Sequence, residues 1–439
     1  MAAPLTHVDQ DPRENQAHRP DVDPGEIAVG VVIGRASEFF DFFVYAIASV
    51  VVFPKLIFPF VDPLTGTLYS FAIFALAFIA RPFGTTLFMA VDRHHGRGVK
   101  LAAALFLLGT STVSIAFLPS YDTLGPAVIW LLAVFRIGQG VAWGGTWDGL
   151  APLLAITAPA SRRGWYAMLP QLGAPIGLIV ASVLFAFFIG NLSAADFYDW
   201  GWRYPFFVAF AINVVALFAR LRMAVTPEYA KLFESGDLQP QKVSETLRVE
   251  GRNILIGAFA PLATFALFHM VTVFPLSWVF LFTKEQPTRF LLIEAIAAFC
   301  GLAAVLISGT VADRVGRRAL LSGSAVAIAV FSGFAPQLLA GGVVGESVFM
   351  LLAFTLLGIS FGQSSGVVAA HFSPKYRYTA SALTNDLAWL IGAGFAPLAA
   401  LLLSSRFGLA ASGAYLLSGA LCTLVALRFN RRLELAAGG

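Results

Sequence analysis

The chain has 439 residues, of which 58% are hydrophobic and 12% charged, with a mean hydropathy of +0.78. A soluble domain carries roughly 25% charged residues, so this composition excludes a soluble globular protein and puts the chain in a membrane. The net charge of +4 is divided among short loops and gives no nucleic-acid-binding surface. Cys300 and Cys422 both sit in apolar runs and make no disulfide framework.

In chain order, residues 1–25 are polar and proline-containing, without the basic-then-apolar order of a secretory signal, and are expected to be a disordered cytoplasmic tail. Apolar runs of about 20 residues, long enough for ~30 Å of hydrocarbon, then recur twelve times. They cover 28–53, 66–91, 98–118, 124–155, 166–190, 204–222, 254–282, 288–312, 319–340, 345–371, 379–404 and 409–428. The polar segment Thr226–Arg252 follows the sixth run. The expected organisation is a six-helix half over 26–222, a cytoplasmic linker over 223–253, a second half over 254–430 and a short tail over 431–439.

Lys and Arg counts orient the chain, because cytoplasmic loops carry the excess. With the N-terminus inside, 21 of the 29 fall on the cytoplasmic side and five on the other. Both termini are therefore expected inside. Arg35, Arg81 and Arg136 fall within or beside spans, where loop anchoring does not account for them.

Span one contains Glu38 and Asp41, three residues apart and so on one helical face. A charge at the centre of a lipid-facing helix costs roughly 2.5–3.5 kcal/mol, so both acids are expected to face a protein interior or a wet cavity. Span four supplies a candidate partner. Arg136, Gly140, Trp143 and Trp147 share a face, with Gln139 beside them, and an intramembrane Arg seeks a carboxylate such as Glu38 or Asp41. Asp148 follows at the end of that stretch. Protonating the acid would break such a pair, which can couple a proton to a substrate.

Two loops repeat. Gly309-Thr-Val-Ala-Asp313-Arg314-Val-Gly316-Arg317-Arg318 follows span eight, and Asp92-Arg93-His94-His95-Gly96-Arg97 follows span two. Each stands at the same place in its half, as two parallel six-helix repeats require. Gly309 would let helices approach closely and Gly316 would permit a tight turn. The loop at 309–318 resembles the signature loop of the major facilitator superfamily, which implies a cytoplasmic latch. It gives that role to Gly309, Asp313, Arg314, Gly316, Arg317 and Arg318, with Asp92, Arg93 and Arg97 as counterparts. The first copy has an extra residue before its glycine, and counted from that glycine Met89 stands where Gly309 does.

The ordered set E-F-F-D-F-F-V-Y in span one, A-R-P-F-G at 80–84, R-I-G-Q-G at 136–140, P-Q-L-G-A-P-I-G at 170–177 and R-Y-T-A-S-A at 377–382 resembles the metabolite:proton symporter family over about residues 25–430. That family moves carboxylates and zwitterions. The resemblance implies an all-α membrane protein of twelve helices in two pseudo-symmetric halves. It also implies Asp41 as the proton-linked acid, Arg136 as its partner or a substrate anchor, and Glu38 as a second acid. Two acids common in the family are replaced by Thr146 and Ile156-Thr157, which leaves substrate and coupling open. The long charged C-terminal helix of osmosensing members is not expected here, because Arg432 is followed by only seven residues.

The second half offers His269 and Thr272 on span seven, Glu294 on span eight, Gln363 on span ten, and Asn385, Asp386 and Trp389 on span eleven. Asp386, like other intramembrane acids, is a candidate site by default. Substrate contacts are expected from Arg136, Gln139, Trp143, Trp147, Asp148, Gln171, His269, Asn385 and Trp389. No H-E-x-x-H or phosphate-binding glycine loop points to an enzyme. The expectation is a monomeric importer in a bacterial inner membrane, driven by the proton gradient without cofactor or metal, carrying a small carboxylate-bearing or zwitterionic metabolite. A proton-driven exporter, or a non-transporting sensor, would use the same fold.

Overall fold

The structure is a computed structural model that describes residues 24–146, 154, 158–225, 239–364 and 372–437. Among these residues there are helices and turns and no strands. Twelve long helices form the body. In the first half they are α1 (Pro24–Val51), α2 (Pro63–His95), α3 (Arg97–Ala116), α4 (Ala127–Gly145), α5 (Gly173–Asn191, led in by Arg163–Met168 and Leu169–Leu172) and α6 (Tyr204–Val225). In the second they are α7 (Leu262–Thr272 and Phe274–Phe282), α8 (Pro287–Val315), α9 (Arg317–Ser332), α10 (Gly342–Phe361), α11 (Arg377–Trp389 and Ala396–Phe407) and α12 (Ala410–Ala437). A linker helix, Val243–Phe259, precedes α7.

Ten of the twelve are long and apolar enough by composition to cross a membrane. The other two are α1, which carries Arg35, Glu38 and Asp41, and the 16-residue α9. Prolines break two of the spans. Pro275 opens the second piece of α7, and Pro397 follows the π-helical turn Leu390–Gly394 in α11, because a proline lacks the N–H that would continue the ladder.

The two halves pack alike. In the first, α1 lies on α5 and α6, α2 on α4, and α3 on α4 and α6; in the second, α7 lies on α12, α8 on α10, and α9 on α10 and α12. The helix-ending turns repeat too: Gly96 after α2 has φ +84° and Gly316 after α8 has φ +85°, a region that favours glycine. The halves meet along two seams, α5 against α8 and α2 against α11.

Small residues set the depth of these contacts. A Cβ on Gly140 or Gly144 would strike the backbone of α2 at Ala77 or Thr85. Gly140 therefore seats α2 against α4. At the α5–α8 seam a Cβ on Gly309 would lie 3.0 Å from Trp165 Cα, so the two helices approach closely there.

Candidate functional site

α1 presents its charges to two separate polar clusters. Asp41 lies wholly inside the first half. Its Oδ1 accepts from Thr112 Oγ1 at 2.5 Å and Asn213 Nδ2 at 3.2 Å, and its Oδ2 from Gln139 Nε2 at 3.4 Å. Gln139 also donates to Thr112 Oγ1 at 2.9 Å, and its Oε1 accepts from Arg136 Nη1 at 3.0 Å. Asp41 forms no ion pair within 4 Å among the described residues. The expected direct contact of Arg136 with Asp41 or Glu38 is thus corrected. Arg136 reaches Asp41 only through the Gln139 amide, because α4 turns Arg136 towards α2 and the Tyr45 side of α1.

Arg136 is fully buried and boxed by rings. Its guanidinium carbon stands 3.9 Å from the Tyr45 centroid, 4.7 Å from Phe74 and 4.9 Å from Trp143. Nε donates to the Phe74 carbonyl at 3.2 Å, while Nη2 is buried without a hydrogen-bond partner. Ring faces attract a cation but accept no strong hydrogen bond, so one donor of this arginine is left unsatisfied.

Glu38, one helical turn towards the N-terminus, belongs to a different cluster. Its carboxylate is held at 2.7 Å by both Arg35 and Arg220. Arg220, near the C-terminal end of α6, folds inward and is 4% exposed. Glu38 and Arg35 line a cavity between the halves with Phe39, Phe42, Phe78, Arg81, Trp143, Thr146 and Trp389. Across it, Arg81 Nε on α2 lies 2.7 Å from Asp386 Oδ1 on α11, and Thr85 Oγ1 donates to Asp386 Oδ2 at 2.5 Å.

An aromatic cluster surrounds the same space. Phe78 stacks on Trp389 at 6.2 Å, and Phe42 stacks on His269 at 5.4 Å, with Phe268 against both Phe42 and Trp389. His269 Nδ1 lies 3.4 Å from Thr272 Oγ1. Within this cluster Trp143 Nε1 and His269 Nε2 are buried without hydrogen-bond partners, and Asn385 Nδ2, elsewhere on α11, is another such donor.

The structure thus brings Trp143 and Trp389 together at the cavity and places His269, stacked on Phe42, and Arg136 and Gln139 behind it. Asn385 and Gln171 do not line it; Gln171 is buried in the lead-in to α5. Trp147 and Asp148 lie outside the described residues. Arg35 and Arg81 are cavity residues that the sequence did not assign, although an arginine inside an apolar run was the available signal. Thr112 and Asn213 gave none, being small neutral groups ordinary in any membrane helix.

Polar ties between the halves gather at the end carrying the basic loops. Asp313 accepts from the Gly164 and Trp165 N–H groups at 2.6 and 3.2 Å, Arg317 donates to the Arg163 carbonyl at 2.7 Å, and Gln363 donates to the Gly164 carbonyl at 3.0 Å. On the other seam the pattern differs. Asp92 takes Lys100 at 2.9 Å, with Arg97 at 4.0 Å, and Lys100 donates to Tyr378 Oη at 2.7 Å across the halves. Arg93 donates to the Gln241 carbonyl at 2.9 Å. The extra residue explains the difference. Asp92 lies four residues before its turn glycine and Asp313 three before its own, so the two carboxylates leave their helices at different angles. Arg314 is exposed, and Arg318 donates to the Leu427 carbonyl within its own half.

Comparison with known proteins is consistent across this architecture. The model of the Major Facilitator Superfamily matches residues 36–397. The inner membrane metabolite transport protein YhjE of Escherichia coli is 35% identical over 97% of this chain and 98% of its own length. The shikimate transporter of the same organism is 28% identical over 87% of this chain and 88% of its own, and its proline/betaine transporter 28% identical over 92% and 83%. Among solved structures, the proton:xylose symporter XylE superposes with a TM-score of 0.71 at 18% identity, over 93% of this chain and 95% of that one, a likeness of fold.

Proposed function

This chain belongs to the Major Facilitator Superfamily, a family of transporters and not of enzymes, and we propose that it is a proton-coupled importer of a small carboxylate-bearing or zwitterionic metabolite. The observation that carries the reading is Asp41: an acid inside a membrane protein, ringed by the neutral donors Thr112, Asn213 and Gln139, with its cation one amide away. A carboxylate so placed can gain and lose a proton without dismantling an ion pair, as a coupling group must. When it is charged, Gln139 points its amide at Asp41 and its carbonyl at Arg136. When it is protonated, that pull on Gln139 weakens, and Arg136 and the Trp143 that it faces can shift towards the cavity.

The cavity supports the substrate class. Arg35 and Glu38 line it from α1 and Arg81 from α2, and Trp143 and Trp389 offer ring faces. Arginines suit a carboxylate, while rings and Glu38 suit the ammonium end of a zwitterion. The named substrates of the E. coli relatives, shikimate and proline/betaine, are molecules of these kinds. In this reading the basic end is cytoplasmic, both termini are inside, the membrane is the bacterial inner membrane and the working unit is a monomer. External substrate and proton enter together, the halves rock about the site, and both leave inside.

The test is counterflow in proteoliposomes loaded in turn with organic acids, amino acids and betaines. Exchange of a carboxylate or zwitterion, with uphill accumulation under an inward proton gradient, is expected. Absence of exchange for every member of the panel overturns the substrate class, and accumulation under the opposite gradient makes the protein an exporter.

A further inference from the structure

We propose that Asp386 is a tethered stand-in for the carboxylate of the transported molecule: bound substrate takes Arg81 from Asp386, and the α2–α11 seam opens. The inference rests on the substrate class argued above and names the group that connects binding to gating.

Four observations carry it. Arg81 and Asp386 are each more than nine-tenths buried, on helices from different halves, and their contact lies at the cavity wall. The contact is poorly made. Arg81 Nε stands 2.7 Å from Oδ1, yet its N–H is not aligned on any acceptor. A free carboxylate in the cavity can meet the guanidinium edge-on with two parallel bonds, which a carboxylate fixed on α11 does not achieve. The remaining tie on Asp386, from Thr85, also comes from α2, so both contacts of this carboxylate close the same seam. On the other seam Glu294 of α8 takes the Ser182 hydroxyl of α5 at 3.2 Å and, among the described residues, pairs with no cation, and the cavity beside that seam is lined by apolar residues such as Ala174, Leu178, Gly301, Val305 and Leu357.

The consequence follows from electrostatics. Once Arg81 is held by the substrate, Asp386 is a buried carboxylate that has lost its cation, and water is the replacement that neutralises the cost. Water reaches it by separation of α11 from α2 towards the basic end. Below Asp386 the seam runs through Thr379 against Met89 and then Tyr378 against Lys100 and Asp92. An empty carrier keeps Asp386 on Arg81 and the seam shut.

The experiment uses full-length protein with Cys300 and Cys422 replaced by Ser and a reporter Met89→Cys at the seam. Labelling by an impermeant maleimide from the basic side is followed in inverted vesicles, and binding in detergent by calorimetry. The probes are 2-oxoglutarate, citrate, shikimate and proline, each beside its methyl ester. The carboxylate that binds is expected to speed labelling of the parent protein, and its ester is not. Asp386→Asn should label quickly without ligand and bind the same carboxylate more tightly by about tenfold, within the range of coupled sites. Arg81→Lys keeps the charge that holds Asp386 but loses the planar fork, so the seam should stay closed without ligand while affinity falls by a similar factor.

A carboxylate that binds the parent protein but leaves labelling unchanged, or binds Asp386→Asn no more tightly, overturns the exchange and leaves the substrate class standing. Binding by none of the four overturns both.

Discussion

Gln139 stands between Asp41 and Arg136, donating to one and accepting from the other, so that the acid and the cation of the first half share an amide and do not touch. A direct pair of this kind would make removal of either partner strongly destabilising, by roughly 3–5 kcal/mol. An amide bridge lowers that figure and lets each group change state while the other stays in place. The arrangement is suited to signalling protonation, and less suited to holding helices together.

Asp41→Asn should fold and exchange substrate across the membrane but lose uphill accumulation, since Asn presents an acceptor oxygen to Thr112 and cannot carry the proton. Gln139→Leu should also lower accumulation, with Asp41 still able to titrate, because the link to Arg136 is cut. Paired counterflow and gradient-driven uptake separate the two activities. Normal accumulation by Asp41→Asn would move the coupling role to Glu38 or to another acid.

Much of this site was legible one helix at a time. The burial of Glu38 and Asp41 away from lipid and of Arg136 with Trp143 two turns away follow from reading single segments, and the repeated turn glycines from the loop repeat. What a segment does not encode is which neighbour its face meets. Arg81 and Asp386 belong to different halves, Arg220 reaches back to Glu38, and Asn213 joins Asp41 from α6. Each of these depends on helix rotation set by small-residue contacts such as Gly140 on Ala77, which no single run reveals. On that account the two acids part: Glu38 is gripped by Arg35 and Arg220 at the cavity wall, while Asp41, which meets neutral donors, is the one to which the proposed coupling is assigned.

Gly164→Ala should hold the basic end open. A Cβ there would lie 2.8 Å from Ala312 Cβ, Asp313 Oδ1 and the Gly309 carbonyl, all on α8. The closed state has no room for it, and overpacking of this kind costs about 1–3 kcal/mol. The cost falls on one access state, because the open seam removes the neighbours. Distances between spin labels on α5 and α8 should lengthen in the variant, with little loss of melting temperature. An unchanged distance distribution would show that the seam does not separate during transport.

Glu250 fastens the linker helix to the segment before α11. It accepts from the Ser373 N–H at 3.1 Å and the Ser373 hydroxyl at 2.7 Å, and from Asn253 at 2.8 Å. Burial pulls its carboxyl up, but the Asn253 and Ser373 bonds outweigh it and hold it below the usual range. A depressed carboxyl stabilises the fold above its unfolded value near ~4.3 and loses that contribution as pH falls through the folded one. Glu250→Gln should therefore lower stability by about 1.5–3 kcal/mol at neutral pH, the range for hydrogen bonds to a charged group. The gap to the parent protein should narrow on acidification below pH ~4. Thermal melts of both proteins across that range check it.

Tyr378→Phe isolates the tie between the halves at the α2–α11 end. Lys100 is 1% exposed and its ammonium divides its bonds between Asp92, in its own half, and the Tyr378 hydroxyl, in the other. Removing the hydroxyl leaves Lys100 and Asp92 paired, so the first half keeps its internal charge balance. Only the closed state loses the hydroxyl's two bonds, the long one to Asp92 at 3.4 Å and the one from Lys100, the latter worth about 1.5–3 kcal/mol because its donor is a cation. The variant should thus spend more time open at the basic end, with the Met89→Cys reporter labelling faster by a factor of about 10 or more. Lys100→Ala is the contrasting case. It strands Asp92 in a buried site with Arg97 at 4.0 Å, and the expected result is poor folding yield, not a shift between access states. Equal labelling of Tyr378→Phe and the parent would place the working latch on the α5–α8 seam, at Asp313 and Gly164.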